Sequence, residues 1–320
     1  MGTPRVIRAR RAEAERADIE TGKSARTSPF AVAAELEAAG VRPRKSRGQN
    51  FLIQPAIADR IVAAAAIAAG DEVVEIGPGL GILSDKILRA GVRRLWLVEL
   101  DARLAERLQS AFAGHPAVRV VCRDFLEVEL AELAERPPVK VIGNLPFNAA
   151  AAILRRLDGM RGAIGRMVLM FQREVAERIR ALAGERAYSA LSVFTALYWE
   201  TREHFRVAAG NFRPAPRVDA EVIVFTPHLR APFAPADEAA MLDAIRAAFS
   251  APRKTIRNAL AGALDAAPEA IAGALARAAI DPGARPATLS VADFVRLADA
   301  LERAGAIAPA PAAVAESHDA

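Results

Sequence analysis

Short apolar runs alternate with amphipathic stretches of helical period through the middle of this 320-residue chain. Five such runs, rich in β-branched and other apolar residues, lie at 72–76, 95–98, 118–121, 139–142 and 167–171. Between them, apolar residues recur three or four positions apart, as on one face of a helix. Strands that alternate with helices in this way predict an α/β fold with a mostly parallel sheet covered on both faces.

A glycine or a polar residue stands at the end of each of the first four predicted strands. These residues are Gly77, Glu99, Asp124 and Asn144. Because ligands of open parallel sheets bind at the carboxyl ends of the strands, we expect the four residues to line one site.

The pattern changes in the second half of the chain. The apolar stretch 188–199 predicts a helix, and the alternating run 220–225 predicts an antiparallel strand at the sheet edge. From residue 237 onward only helical stripes remain. We therefore predict four segments: a basic, mostly disordered arm (1–44), an α/β domain (45–230), a helical domain (231–304) and a disordered tail (305–320).

Composition restricts the environment in which the chain works. The single cysteine, Cys122, excludes an internal disulfide framework and predicts a reducing compartment. No apolar run approaches the roughly 20 residues that span a bilayer, and the N-terminus lacks an apolar signal core. These features predict a cytoplasmic protein without a membrane partner.

The net charge of +5 is concentrated at the N-terminus. Residues 1–47 hold eleven Lys/Arg and six Asp/Glu, and the remaining positive and negative charges balance. A basic arm can seek phosphates, because neutralising them releases counterions. A solubilising tail without a partner is an equal alternative for residues 1–28, and we favour phosphate contact for 42–47.

Three glycines, Gly77, Gly79 and Gly81, separate the first predicted strand from a helix. They let the backbone approach a ligand, although tight packing alone also uses such loops. Glu99 lies where a carboxylate accepts the hydroxyls of a ribose, so a ribose-bearing cofactor, NAD or S-adenosylmethionine, is expected. Asp124 suits acceptance of an adenine amine, or it caps the next helix.

The stretch Asn144-Leu145-Pro146-Phe147 follows the fourth predicted strand. Pro146 favours an extended Leu145, so the amide oxygen of Asn144 and the carbonyl of Leu145 can both accept hydrogen bonds beside the Phe147 ring. Two acceptors next to a flat ring suit a planar base with an exocyclic amine. A simple turn is the alternative. No cluster of His, Cys and carboxylates indicates a metal.

Seven ordered motifs resemble the ribosomal RNA adenine N6-dimethyltransferase family between residues 45 and 302. They are Gly48-Gln49-Asn50-Phe51-Leu52, Glu75-Ile76-Gly77-Pro78-Gly79-Leu80-Gly81, Val98-Glu99-Leu100-Asp101, Asp124-Phe125-Leu126, Asn144-Leu145-Pro146-Phe147, Phe212-Arg213-Pro214-Ala215-Pro216-Arg217-Val218-Asp219 and Arg253-Lys254-Thr255-Ile256-Arg257-Asn258. The resemblance implies a Rossmann-like S-adenosylmethionine-dependent methyltransferase domain with a smaller all-helical C-terminal domain.

Site residues follow from the same resemblance. It implies that S-adenosylmethionine contacts Asn50, Leu52, Gly77, Glu99, Asp124 and Asn144. The target adenine would lie against Asn144, Leu145, Pro146 and Phe147, with Phe212 as a second aromatic wall. The basic residues Arg253, Lys254 and Arg257 would grip the RNA backbone, whereas charge patterning alone also allows a solvated helix face.

Two branches of the family are open. One dimethylates two adjacent adenines near the 3′ end of 16S rRNA during maturation of the small ribosomal subunit, and the other modifies 23S rRNA and confers macrolide resistance. The segments 253–258 and 287–291 resemble the first branch, whereas Phe147 departs from its commoner Tyr. We expect a monomer of the first branch. A non-catalytic RNA-binding factor with the same fold and, more distantly, an NAD-dependent dehydrogenase are the alternatives.

Overall fold

The structure is a computed structural model that describes residues 49–228, 233 and 235–307. The predicted N-terminal arm, its basic segment 42–47 and all but the first residues of the predicted tail lie outside the described residues. The strands are β1 Phe51–Leu52, β2 Glu72–Ile76, β3 Arg94–Glu99, β4 Val118–Cys122, β5 Val139–Asn144, β6 Ile164–Gln172, β7 Trp199–Val207, β8 Phe212–Arg213 and β9 Ala220–Pro227.

The helices between and after these strands are short to medium in length. They are α1 Pro55–Ala64, α2 Ile82–Arg89, α3 Ala102–Ala111, α4 Leu130–Leu133, α5 Ala150–Gly159, α6 Arg173–Arg180, α7 Ala190–Tyr198, α8 Glu238–Phe249, α9 Ile256–Ala263, α10 Pro268–Arg277 and α11 Val291–Arg303. Within the described ranges, no helix is long and apolar enough to cross a membrane.

Seven strands form the main sheet, in the order β4-β3-β2-β5-β6-β9-β7. The strands β4, β3, β2, β5 and β6 pair in parallel. The order reverses between β2 and β5, because the chain adds β3 and β4 on one side of β2 before it returns to the other side. Such a reversal opens a crevice at the carboxyl ends of the strands, where doubly wound folds bind ligands. The predicted α/β class is confirmed.

The edge of the sheet differs from the prediction. The alternating run 220–225 does form a strand, but β9 lies between β6 and β7, so β7 is the edge strand. The helix predicted to end at Trp199 ends at Tyr198, and Trp199 begins β7. The sequence analysis did not predict β7, because its sequence contains many charged residues. Charged residues are nevertheless common on exposed edge strands, where they prevent pairing with other chains.

Contacts between residues divide the chain into two compact units. In the described part, the first unit holds residues 49–173 and 202–224, and the second holds residues 174–201 and 225–307. The sequence assigned 174–201 to the α/β domain, whereas these residues pack with the C-terminal helices. The reason is α7, whose buried Val193, Phe194 and Leu197 belong to the same apolar cluster as α8 and α11.

The second unit is a helical bundle with its own core. The predicted stripes on α8 and α11 meet there, and the rings of Phe249 and Phe294 stack with centroids 5.6 Å apart. Asp237 caps α8 through the amides of Ala239 and Ala240, and Ser290 forms a capping box at the start of α11. Capping satisfies amides that a helix start leaves without partners.

The bundle core yields a stability prediction. Leu297→Ala removes a fully buried side chain, so we expect it to lower the free energy of unfolding by about 2–5 kcal/mol. Leu182→Ala is the matched control in the same unit, because Leu182 is 70% exposed and its truncation should change stability by less than about 0.5 kcal/mol. Urea unfolding followed by circular dichroism measures both. Equal losses would contradict the assignment of Leu297 to the core.

Candidate functional site

A cleft lies at the carboxyl ends of β2, β3, β4 and β5, all within the first unit. Its walls come from the segments after these strands, from residues 49–52 and from the start of α5. The cleft volume is about 250 Å³, many times the roughly 10–15 Å³ that one water needs. It is therefore a site of ligand size, at the place where the strand order reverses.

The glycine loop after β2 forms the floor of the cleft. Gly77, Gly79 and Gly81 all have positive φ, a conformation that other residues enter at a cost. A Cβ on Gly79 would also lie 3.0 Å from the Phe51 ring. This close approach brings the segment that contains β1 over the loop, so Gly79 is required both for its backbone conformation and for the absence of a side chain.

Glu99 is a buried acceptor at the end of β3. Its Oε2 accepts a hydrogen bond from the Gly79 amide at 3.0 Å, and its Oε1 accepts one from the Asp101 amide at 2.9 Å. Burial raises the pKa of this carboxyl group, and the two amide hydrogen bonds oppose the rise. Each carboxylate oxygen has two lone pairs, so both retain capacity for a ligand hydroxyl.

Asp124 lines the cleft and also caps a short helix. Its Oδ1 accepts a hydrogen bond from the Leu126 amide at 3.0 Å, at the start of the 3₁₀ helix Phe125–Glu127. The capping alternative from the sequence is thus present in the structure. It leaves the second carboxylate oxygen of Asp124 available, so capping and ligand contact are compatible.

Asn144, at the end of β5, has its side-chain amide oriented by the chain itself. The Nδ2 group donates to the carbonyl oxygen of Asn50 at 2.9 Å. Since Nδ2 is the donor, the atom on the other side of the amide is the acceptor Oδ1. No residue in the described ranges donates to Oδ1. Leu145 and Pro146 follow directly and line the same cleft.

The two-stranded ribbon β1–β8 holds the segment that carries Asn50. Its antiparallel register pairs Leu52 with Phe212, and the Ile53 amide donates to the Asn211 carbonyl at 2.9 Å. Asn50 and Leu52 both line the cleft. Backbone pairing therefore connects the segment around Phe212 with the segment that carries Asn50, and the Asn144 side chain donates to the Asn50 carbonyl.

The two predicted aromatic walls lie behind the cleft surface. Phe147 is half-buried and packs against the apolar core of the first unit, and Phe212 is a fully buried member of that core. Neither side chain is among the described residues that line the cleft. Contact of either ring with a base stays a prediction.

The predicted RNA-binding residues lie in the second unit. Arg253, Lys254 and Arg257 are exposed around the start of α9, which Thr255 caps. The Ile256 amide donates to the Ala284 carbonyl and the Arg257 amide to the Pro282 carbonyl. This pairing holds the loop with the exposed Arg285 against the helix start. The amides at the helix start are thus already paired, and the four cationic side chains form a surface suited to phosphates.

Sequence reasoning gave no role to several residues of these surfaces. Glu75 lines the cleft although it is fully buried, and Ser84 donates to it. Its signal in the sequence is an acid between the apolar residues Val74 and Ile76 of a strand, directly before a glycine loop. Arg285 had no such signal, because only the fold brings its loop to α9.

The donor set of the cleft fits the cofactor that the resemblance implies. S-adenosylmethionine is a sulfonium with ribose hydroxyls and an adenine amine. Glu99, Asp124 and Asn144 offer oxygen acceptors, and the carboxyl groups supply the negative potential that a cation requires. In the described part of the chain, no three His, Cys, Asp or Glu side chains are grouped to hold a metal ion.

Comparisons with known proteins point to one family. The profile of the family described as "Ribosomal RNA adenine dimethylase" matches residues 40–303. The "Ribosomal RNA small subunit methyltransferase A" of Geobacter sulfurreducens is 39% identical over 271 residues, which are 83% of this chain and 98% of that protein. The protein of the same name from Methylococcus capsulatus is 40% identical over 80% of this chain and 96% of its own.

Solved structures agree on the fold. A dimethyladenosine transferase from Plasmodium falciparum superposes with a TM-score of 0.67 at 23% identity, over 80% of this chain and 98% of that chain. The 23S rRNA methyltransferase ErmE superposes with a TM-score of 0.59 at 25% identity, over 79% and 100%. The predicted methyltransferase fold and the resemblance to the dimethyltransferase family are confirmed.

The glycine loop generates a prediction about cofactor affinity. Gly79→Ala places a Cβ against Phe51 and forces a positive φ on alanine, which costs roughly 1–2 kcal/mol. We expect the loop of the free variant to relax and relieve this cost, so that binding must restore the original conformation and affinity for S-adenosylmethionine falls by roughly 5–30-fold, because 1.4 kcal/mol corresponds to tenfold. Gly70→Ala is the control, since a Cβ there meets nothing within 4 Å. Calorimetric titration measures both variants, and unchanged affinity in Gly79→Ala would contradict the role of the loop.

Proposed function

Because this chain belongs to the ribosomal RNA adenine dimethylase family, we propose that it methylates N6 of two adjacent adenines near the 3′ end of 16S rRNA, twice each. S-adenosylmethionine is the methyl donor. The single observation that carries the proposal is the orientation of the Asn144 side-chain amide. Its Nδ2 donates to the Asn50 carbonyl, so its Oδ1 is left as an acceptor. A base amine needs such an acceptor.

The protein side of the reaction is one of orientation. When bound, S-adenosylmethionine supplies a methyl group that is already electrophilic, because its sulfur is positively charged. The lone pair of an adenine amine is delocalised into the ring, so the amine is a weak nucleophile. Asn144 Oδ1 and the Leu145 carbonyl would accept its two hydrogens and favour a pyramidal nitrogen. Fixed acceptors and alignment then supply most of the acceleration.

Aromatic contact would complete the base site. We assign Phe147 and Phe212 as stacking partners for the target adenine, in line with their motifs. Both rings pack in or against the apolar core of the first unit, so access to them requires local movement when the base enters. The target base must also leave its own stack in the RNA before it can enter the site.

The second unit would hold the RNA backbone. Arg253, Lys254 and Arg257 are exposed, and no described acid forms an ion pair with them. Arg285 extends the same surface. Phosphate contacts of this kind position an RNA without reading its sequence. We propose that the chain acts as a cytoplasmic monomer on the immature small subunit.

Small-subunit rRNA is favoured over 23S rRNA by degree of similarity. The curated relatives at 39–40% identity bear small-subunit names, whereas the 23S rRNA enzyme ErmE is 25% identical. Incubation with labelled cofactor and undermethylated small subunits, followed by mapping of reverse-transcription stops, tests the proposal. Label confined to large-subunit rRNA would transfer the chain to the resistance branch, and no label on either RNA would favour a non-catalytic factor.

The acceptor role of Asn144 can be tested directly. Asn144→Ala removes the oriented oxygen, so at saturating cofactor we expect the rate of methyl transfer to fall by at least roughly 100-fold, while rRNA affinity stays nearly unchanged. Gln109→Ala on α3 is the control, because it removes an exposed amide elsewhere in the same unit. Single-turnover transfer and filter binding are the measurements. Transfer at near the original rate would exclude this role for Asn144.

The basic surface of the second unit makes a separate prediction. Simultaneous alanine replacement of Arg253, Lys254 and Arg257 should weaken rRNA binding and reduce the slope of log affinity against log salt by roughly 2–3. Affinity for S-adenosylmethionine should not change. Replacement of three exposed arginines elsewhere in the unit, Arg186, Arg246 and Arg303, is the control for net charge. Equal effects of the two triple variants on rRNA binding would show that net charge, and not the surface around the start of α9, determines rRNA affinity.

A further inference from the structure

Glu75 has a buried carboxyl group in the cleft, and it has no role in the methyl transfer described above. It occupies the penultimate position of β2, its side chain is 1% exposed, and it lines the cleft. The Ser84 hydroxyl donates to Oε2 at 2.6 Å. No residue in the described ranges forms a hydrogen bond or an ion pair with Oε1.

Glu75 lies near another acidic side chain, and the basic side chains around the cleft already have partners. The titratable group whose charge acts on it is Glu99, at the end of the neighbouring β3. The strand positions opposite Glu75 are Leu97 on β3 and Ile142 on β5, both apolar. The other charged groups around the cleft have partners: Lys86 with Asp59, Asp85 with Arg89, Arg123 with Glu132, Arg107 with the Leu80 carbonyl, Asp101 with the Arg103 amide and Asp124 with the Leu126 amide.

These surroundings keep Glu75 neutral in the ligand-free protein near pH 7. Burial raises the pKa of Glu75 to about 8, the Ser84 hydrogen bond opposes the rise, and the Glu99 carboxylate adds to it. A cation that enters the cleft reverses the balance, because a nearby positive charge stabilises the ionised carboxyl group. Methyl transfer removes the positive charge on sulfur, since the sulfur of the product S-adenosylhomocysteine is a neutral thioether, whereas the amino acid group is the same in both ligands.

We propose that Glu75 is a specificity-determining residue that releases its proton to solvent when the sulfonium cofactor binds and thereby favours the cofactor over the thioether product. The inference rests on the proposed function for the identity of the cofactor. The proton leaves the Glu75 carboxyl group for solvent, and the carboxylate would then be stabilised by the positive charge of the bound ligand. After transfer, the carboxylate lacks its counter-charge and takes up a proton again, which weakens the hold on the product.

The direction of the pH effect follows from linkage. Below the ligand-free pKa of about 8, binding of the cation must expel a proton, so affinity for S-adenosylmethionine falls as pH falls, by up to about tenfold per pH unit. Above that pKa the carboxylate already exists and affinity is constant. Glutamine mimics the protonated acid at every pH. Glu75→Gln should therefore match the original chain at pH 6 and bind the cofactor more weakly at pH 9.

Calorimetric titration of the full chain between pH 6 and pH 9 tests the proposal, with S-adenosylmethionine and S-adenosylhomocysteine as ligands. Relative to Glu75→Gln, we expect the original chain to gain at least about tenfold in cofactor affinity over this range and less than about threefold in product affinity. Titration of the ligand amino group changes affinity equally for the original chain and for Glu75→Gln, so it cancels in the ratio of the two affinities. Asp85→Asn, which changes an acid beside Ser84, should follow the original chain.

Proton release supplies a second readout. Titrations at pH 7 in phosphate and in Tris, whose ionisation enthalpies differ, should report about one more proton released on cofactor binding by the original chain than by Glu75→Gln. If Glu75→Gln does not fold, Ser84→Ala replaces it. Loss of the Ser84 hydrogen bond should move the pH at which cofactor affinity becomes constant to a higher value.

Two results would overturn the inference. One is a ratio of cofactor affinities, original chain to Glu75→Gln, that does not change with pH, and the other is an equal pH-dependent gain for the thioether. Because no RNA is present, either result leaves cofactor binding and methyl transfer in place. Failure of the proposed function would appear instead as unlabelled rRNA together with an intact pH dependence.

Discussion

The hydrogen bond from Asn144 to the Asn50 carbonyl, 2.9 Å long, joins two segments that are 94 residues apart. It settles which end of the Asn144 amide is an acceptor, and the ribbon β1–β8 holds the carbonyl in place. This connection joins the lining of the cleft, the segment that packs over the glycine loop and the stretch Asn144-Leu145-Pro146-Phe147. In the proposed function, this bond pre-organises the Oδ1 acceptor of Asn144, which therefore requires little reorganisation during the reaction.

The electrostatics of the cleft follow from its burial. Glu75 and Glu99 end up in a poorly solvated place because β2 and β3 are central strands covered on both faces. Burial raises both pKa values, and the hydrogen bonds that each acid accepts lower them again by stabilising the ionised form. Two buried acids are costly to ionise in the free protein, and in our inference a cationic ligand offsets this cost.

In the proposed function, the two units make different kinds of contact with the substrate. The first unit contains a cleft with oriented acceptors, and the second has exposed cations around the start of α9. Orientation requires fixed backbone, which a sheet supplies. Phosphate binding requires charge at the surface, which a small helical bundle with capped helices supplies without disturbing its core.

The sequence alone determined the alternation of strands and helices, the residues at the strand ends and the helical stripes of the second unit. These features have local periods of two or 3.6 residues, and parallel pairing then brings strand ends together, so Gly77, Glu99, Asp124 and Asn144 could be predicted to meet. Only the tertiary structure decided the orientation of the Asn144 amide, the elevated pKa of Glu75, the edge position of β7, the burial of Phe212 and the unit that α7 joins. Each of these depends on a contact between segments far apart in the chain, and no local period of the sequence encodes such a contact.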